Sequence, residues 1–217
     1  MAGTVITDSV IEHVCSRRVI PVVTRLEQDR VRDLVRALKR AGLPLVELTL
    51  RTESSAAVLR ALAADDELLV GAGTVIRAEQ VDLAMEAGAR FVVTPGFSHE
   101  VMQRCREVAM AVIPGVATAT DIIAALDHGC DVMKFFPAEP SGGTTALRAL
   151  EGPFPDVRFV PTGGVNAANA GNYLRLRSVA AVGGSWMVAP GLLDAREFDT
   201  VTRLTAEAVA LAAEARP

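Results

Sequence analysis

Eight short runs rich in β-branched and large apolar residues are each followed by a longer amphipathic stretch, and this alternation limits the folds open to the chain. The predicted strands are 19–24, 45–50, 68–71, 91–94, 111–113, 132–136, 157–160 and 178–182. The predicted helices that follow them are 29–41, 54–64, 78–87, 99–109, 120–128, 143–150, 168–176 and 198–213. A further helix, 5–16, is expected before the first strand, with Thr7 or Asp8 near its start. Spread over 217 residues, the eight units average about 27 residues each. Runs such as Val19–Val23 and Phe91–Val93 are nearly all apolar, as parallel strands buried on both faces should be. In 29–41, Val31, Leu34, Val35 and Leu38 share one helical face, and Gly42 is placed to end the helix. Eight such units close most naturally as an α/β structure of the (β/α)8 TIM-barrel type with an additional N-terminal helix. An open doubly wound sheet is the alternative, but no G-x-G-x-x-G follows the first strand. No linker or low-complexity segment divides the chain, so one domain is expected over 1–217.

Half of the residues are apolar, which excludes a disordered chain, and the net charge of −4 is unlike the basic face of a nucleic-acid binder. No apolar run reaches membrane-spanning length, and the N-terminus lacks a basic region followed by an apolar stretch. Cys15, Cys105 and Cys130 are scattered without paired spacing, as expected of reduced thiols in a cytoplasmic protein. His13, His99 and His128 are far apart in sequence and fall in helical stretches, so no metal site is expected.

Only two lysines occur, Lys39 and Lys134, against twenty arginines. Lys134 lies in the sixth predicted strand, within Asp131-Val132-Met133-Lys134-Phe135-Phe136-Pro137-Ala138-Glu139. An ammonium is costly to bury, and a lysine held in apolar surroundings tends towards the neutral amine, a nucleophile for carbonyl carbon. The competing reading is a lysine whose head snorkels from a strand end. In these barrels chemistry gathers at the C-terminal ends of the strands. Glu47, Thr49 and Arg51 alternate on the second strand and so share one face. They read either as a structural ion pair or as an acid/base, Glu47, beside a carboxylate clamp, Arg51. The pairs Gly163-Gly164 and Gly183-Gly184, the latter followed by Ser185, stand after strands seven and eight. There they form either tight turns or a backbone cradle for a phosphate.

These residues resemble a known family. Glu47-Leu48-Thr49-Leu50-Arg51-Thr52, Gly71-Ala72-Gly73-Thr74-Val75, Lys134-Phe135-Phe136-Pro137-Ala138-Glu139, Gly152-Pro153-Phe154, Pro161-Thr162-Gly163-Gly164 and Gly183-Gly184-Ser185-Trp186 together are similar to the motifs of the 2-keto-3-deoxy-6-phosphogluconate (KDPG) and 4-hydroxy-2-oxoglutarate aldolases. The resemblance spans about Val19 to Ala213. It implies a class I lyase, without cofactor or metal, in which Lys134 forms a Schiff base with pyruvate and Glu47 shuttles protons. It implies a phosphorylated keto-acid substrate, with its carboxylate on Arg51 and Thr74 and its phosphate on Gly163, Gly164, Gly184 and Ser185. Pro95 and Phe136 are implied as further substrate-binding residues. Thr162 matches a position tied to stereochemical choice at C4, where galactonate-specific relatives carry an apolar residue. Thr94-Pro95-Gly96 departs from the expected Ser-Pro-Gly. The resemblance also implies a homotrimer, and 4-hydroxy-2-oxoglutarate, which has the same pyruvate half, is a second expected substrate. A phosphosugar isomerase using Glu47 as base and a non-catalytic phosphate-binding module remain as alternatives from other classes.

Overall fold

The computed structural model describes residues 2–52 and 54–215, with side chains from Ser9 onward. The strands are β1 (Val19–Val23), β2 (Leu45–Thr49), β3 (Leu69–Gly73), β4 (Phe91–Val93), β5 (Ala111–Ile113), β6 (Gly115–Val116), β7 (Val132–Phe135), β8 (Arg158–Phe159) and β9 (Val182–Gly184). The helices are α1 (Ala2–Ser16), α2 (Val31–Arg40), α3 (Ser55–Ala63), α4 (Ala78–Glu86), α5 (His99–Glu107), α6 (Ala119–Asp127), α7 (Gly143–Glu151), α8 (Ala170–Leu174), α9 (Pro190–Asp194) and α10 (Phe198–Glu214). The side chains of Thr7 and Asp8, expected near the start of α1, lie outside those described. Among the described residues no helix is long and apolar enough to cross a membrane.

Every strand pair is parallel: β5-β4-β3-β2-β1-β9 form a six-stranded sheet, and β6-β7-β8 a three-stranded one. The result is an α/β fold built on a curled parallel sheet. Its strands read as continuous apolar runs because both faces are covered, and β1, β2 and β4 are buried along their whole length. Pro21 sits in β1 without disrupting it. β1 pairs with β9 through Val19–Pro21 and with β2 only from Val22 onward, so the missing N–H falls outside the β2 ladder.

After Ala111–Ile113 the chain re-enters the sheet as β6 beyond Pro114, a strand not expected from the sequence. The Pro114 carbonyl accepts from Lys134 N at 2.8 Å, and Gly115 N donates to Thr94 Oγ1 at 2.8 Å. One strand therefore serves β4 before the proline and β7 after it. α9, which begins with Pro190, was not expected from the sequence; five residues are too few for a periodic signal. α2 does bury the face formed by Val31, Leu34, Val35 and Leu38, and Gly42 follows it at φ 75°.

Gly71 of β3 lies under the Phe91 ring of β4, in space that a side chain would occupy. Phe91 is fully buried. Phe91→Ala is expected to destabilise the protein by about 3–5 kcal/mol. A lower urea midpoint with an unchanged m-value would show this.

Candidate active site

Lys134 lies in the middle of β7, whose four residues are all buried. Its neighbours in register are Gly115 of β6 on one side and, through Met133, Phe159 of β8 on the other. Glu47 stands on β2 between Val22 of β1 and Gly71 of β3. The strands carry these two side chains to each other: Lys134 Nζ donates to Glu47 Oε1 at 3.1 Å across 87 residues of sequence. Lys134 is 5 % exposed and Glu47 2 %. Lys134 is thus a buried amine with a buried carboxylate in hydrogen-bond reach, and not a snorkelling lysine. The Phe136 ring faces the same nitrogen, 5.2 Å from its centroid. A Cβ on Gly73 would run into the Glu47 carboxylate, so this glycine gives Glu47 its space. The sequence marked Gly73 only as part of a turn.

Thr49 is buried and donates to the Thr24 carbonyl at 3.2 Å, tying β2 to the end of β1. Arg51, two residues past β2, is exposed at the rim. Its Nε donates to Thr74 Oγ1 at 3.3 Å, and Thr74 is held at φ 58°. The ion pair between Glu47 and Arg51 weighed from the sequence is replaced by one between Glu47 and Lys134, leaving the guanidinium at the mouth beside a hydroxyl. That combination suits a carboxylate ligand. The Thr94 hydroxyl, with its extra methyl, is buried and in use as the acceptor for Gly115 N; Pro95 follows it, half-buried.

On the far side, Thr162 is buried next to Gly183, whose Cβ would meet the Thr162 hydroxyl. Gly163 and Gly164 both have positive φ, 97° and 83°, a conformation that glycine adopts without strain. The Gly164 carbonyl is occupied by the Asn166 and Asn169 side-chain amides at 3.2 and 3.1 Å. Among the described residues, the amides of Gly164, Val165 and Ser185 donate to no protein acceptor. Gly184 lies against the Trp186 ring. Free backbone donors at glycine turns of this kind suit an anion. Asn166 and Asn169 were missed from the sequence, although an Asn-x-x-Asn run after a double glycine was a readable signal.

Other reactive groups lie elsewhere. Burial pushes the Cys15 and Cys105 thiols up to about 12, which makes them poor nucleophiles. His99 and His128, distant in sequence, are brought into edge-to-face contact at 4.7 Å, with Phe97 5.2 Å from His128. Among the described residues, no group of three or more His, Cys, Asp or Glu side chains could hold a metal.

Comparison with known proteins gives the same picture. The family model for "KDPG and KHG aldolase" matches residues 10–204. The KHG/KDPG aldolase of Escherichia coli K12 is 41% identical over 192 residues, covering 88% of this chain and 90% of that one. A KDPG aldolase from Legionella pneumophila, solved with pyruvate captured as a covalent carbinolamine, superposes with a TM-score of 0.85 at 38% identity, over 88% of this chain and 93% of that one. The 2-keto-3-deoxy-6-phosphogluconate aldolase of Zymomonas mobilis, solved with 3-phosphoglycerate, gives 0.86 at 38% identity, over 94% and 95%. A match of this length, joined to a buried lysine–glutamate pair, makes this chain a member of the KDPG and KHG aldolase family.

Proposed function

We propose that this protein is a class I aldolase that cleaves 2-keto-3-deoxy-6-phosphogluconate to pyruvate and D-glyceraldehyde 3-phosphate, with 4-hydroxy-2-oxoglutarate as a second substrate. The observation that carries this reading is the buried contact of 3.1 Å between Lys134 Nζ and Glu47 Oε1. The carbinolamine in the Legionella relative supports covalent chemistry with pyruvate, and 3-phosphoglycerate in the Zymomonas relative supports a site for a phosphorylated acid.

In the proposed reaction, the Lys134 proton passes to Glu47 and the neutral amine attacks the C2 ketone. Glu47 passes this proton and then a second one from the nitrogen to the carbinolamine oxygen, water leaves, and an iminium forms beside the Phe136 ring, whose face favours the positive charge. Glu47 takes the C4 hydroxyl proton and the C3–C4 bond breaks into the iminium. Glyceraldehyde 3-phosphate departs, leaving the enamine, which Glu47 protonates at C3. Water then hydrolyses the pyruvate iminium and frees Lys134. One carboxylate serves both steps because each returns it to the form that the next requires. Arg51 and Thr74 hold the substrate carboxylate, Pro95 lines the same mouth, and Gly163, Gly164, Gly184 and Ser185 hold the phosphate. This chemistry needs neither metal nor cofactor.

The architecture we assign is a single (β/α)8 barrel domain with α1 added at its start. Hydrogen bonds support closure of the ring: Val160 N donates to Met133 O, Ala180 N to Phe159 O, Gly183 N to Pro161 O and Val182 N to Arg18 O. A homotrimer is assigned from the family resemblance. Exposed Ile76 and Ile123, 52% and 53% accessible, are apolar side chains that an interface would cover. A cytoplasmic location fits Cys15, Cys105 and Cys130 as thiols rather than disulfides.

Borohydride added with pyruvate should fix a stable adduct on Lys134, located by peptide mass spectrometry; label on Lys39 instead, or no label, would sink the assignment. Lys134→Arg keeps the charge but cannot form a neutral amine, so lyase activity in a coupled pyruvate assay should vanish. Glu47→Gln should lower kcat by about 10²–10⁴-fold. With Thr162 intact, the gluconate-derived substrate should turn over faster than its galactonate epimer. Thr162→Val should narrow that preference, read as the ratio of the two kcat/KM values.

A further inference from the structure

The turn that carries the proposed phosphate site rests on a side chain to which the reaction gives no role. Glu139 follows Lys134 by five residues, at the end of the segment that leaves β7. Its backbone is stitched to the glycine turn: Ala138 N donates to Thr162 O at 2.8 Å, and Glu139 N to Gly163 O at 3.0 Å. Its Cβ and Cγ fill the space that a side chain at Gly164 would need. Its carboxylate accepts from the Tyr173 hydroxyl in a short hydrogen bond. Tyr173 is fully buried on α8, the helix that follows the turn, while Glu139 is exposed at the mouth. Gly143, at φ 59°, leaves room for both groups; a Cβ there would lie 3.3 Å from each oxygen.

This arrangement sets an acid against a turn whose free amides suit an anion. A carboxylate there opposes a phosphate by like-charge repulsion, and could itself turn to the free amides. The Tyr173 hydroxyl, on α8, engages one oxygen of that carboxylate instead. Burial, and then the bond to Glu139, push the Tyr173 hydroxyl well above its ordinary range, so it stays protonated and donating at working pH.

We propose that Glu139 and Tyr173 are a positioning pair for phosphate binding: the Glu139 stem braces the Gly163–Gly164 turn, and Tyr173 keeps its carboxylate turned from the anion. The inference rests on the aldolase reading for its substrate, but not for its anion site. The probe is inorganic phosphate, its affinity read from the rise in Tm with sodium phosphate against sodium chloride at matched ionic strength. Tyr173→Phe frees the carboxylate and should weaken phosphate binding about tenfold, with KM for the phosphorylated substrate rising in parallel. The rate of borohydride trapping with pyruvate, which carries no phosphate, should stay unchanged. Glu139→Gln keeps the stem and the acceptor, so it should bind phosphate at least as well as the parent. The double variant should recover to within about threefold of the parent, because no charge is left to misdirect. A mere structural tie between α8 and the turn would give a double variant no better than Tyr173→Phe, and that result would overturn the proposal. So would unchanged phosphate affinity in Tyr173→Phe, or equal losses in Tyr173→Phe and Glu139→Gln. Absence of a pyruvate adduct in the parent protein would instead sink the aldolase reading and leave the phosphate comparison standing.

Discussion

An ammonium and a carboxylate 3.1 Å apart, each almost wholly out of water, set the terms for the strands around them. Neither charge is tolerable alone at that depth. Removing one partner from such a pair commonly costs about 3–5 kcal/mol, because the other is left uncompensated. The pair is therefore weak as a source of stability and strict as a constraint. β2 and β7 must present Glu47 and Lys134 towards each other, and the strands between them must leave the space open. Gly73 does so beside Glu47. Pro114 and Gly115 bring a strand past Lys134 while switching partners from β4 to β7. The same closeness suits the proposed reaction: a proton can move between the two groups without water, and either form of the carboxylate has a use in the next step.

Lysine is rare enough in this chain for its two instances to be compared. Lys39 is at the surface, ion-paired with Asp65 and Glu67, and does what arginines such as Arg40 and Arg104 do elsewhere. The role proposed for Lys134 is one that no arginine can fill, since a guanidinium does not give up its proton in a protein. Arg51 stays at the rim, where a fixed, forked cation is the better tool for a carboxylate.

What depends on residue type and on position along a strand was legible in the sequence. The alternation of apolar runs and amphipathic stretches gave the parallel α/β organisation, the buried face of α2 followed from its spacing, and the strand locations put Lys134 and Glu47 on the sheet. Long-range geometry was not legible. Nothing local distinguishes Lys134 from Arg51 as the partner of Glu47; both are cations, and 87 residues separate the pair that forms. The re-entry of β6 was hidden because Pro114-Gly115 reads locally as a turn, while the bonds that hold it come from Thr94 and Lys134 on neighbouring strands. The approach of His99 to His128 depends on how α5 and α6 are placed side by side, which no periodicity encodes. The roles proposed for Thr162 and Ser185 rest on the family resemblance, since residue chemistry alone left them open.

In the proposed reaction, the two ends of the site meet an anion by different means. At the Arg51 end, a full positive charge sits at an exposed rim, where water screens it. At the Gly163–Gly164 end, the donors are backbone amides, fixed by the fold and bearing only partial charge. The charged side chain packed against that turn is an acid. Such a site works only if the acid's direction is set, since its stem braces the turn while its oxygens would compete for the same amides. A buried tyrosine hydroxyl is well suited to setting it, because it donates one hydrogen bond in one direction, from a ring that the core does not allow to move. On the proposed pairing of Glu139 with Tyr173, the anion end depends on α8 as well as on the turn, and substitutions under α8 should be felt by the phosphate and not by the proposed Schiff base.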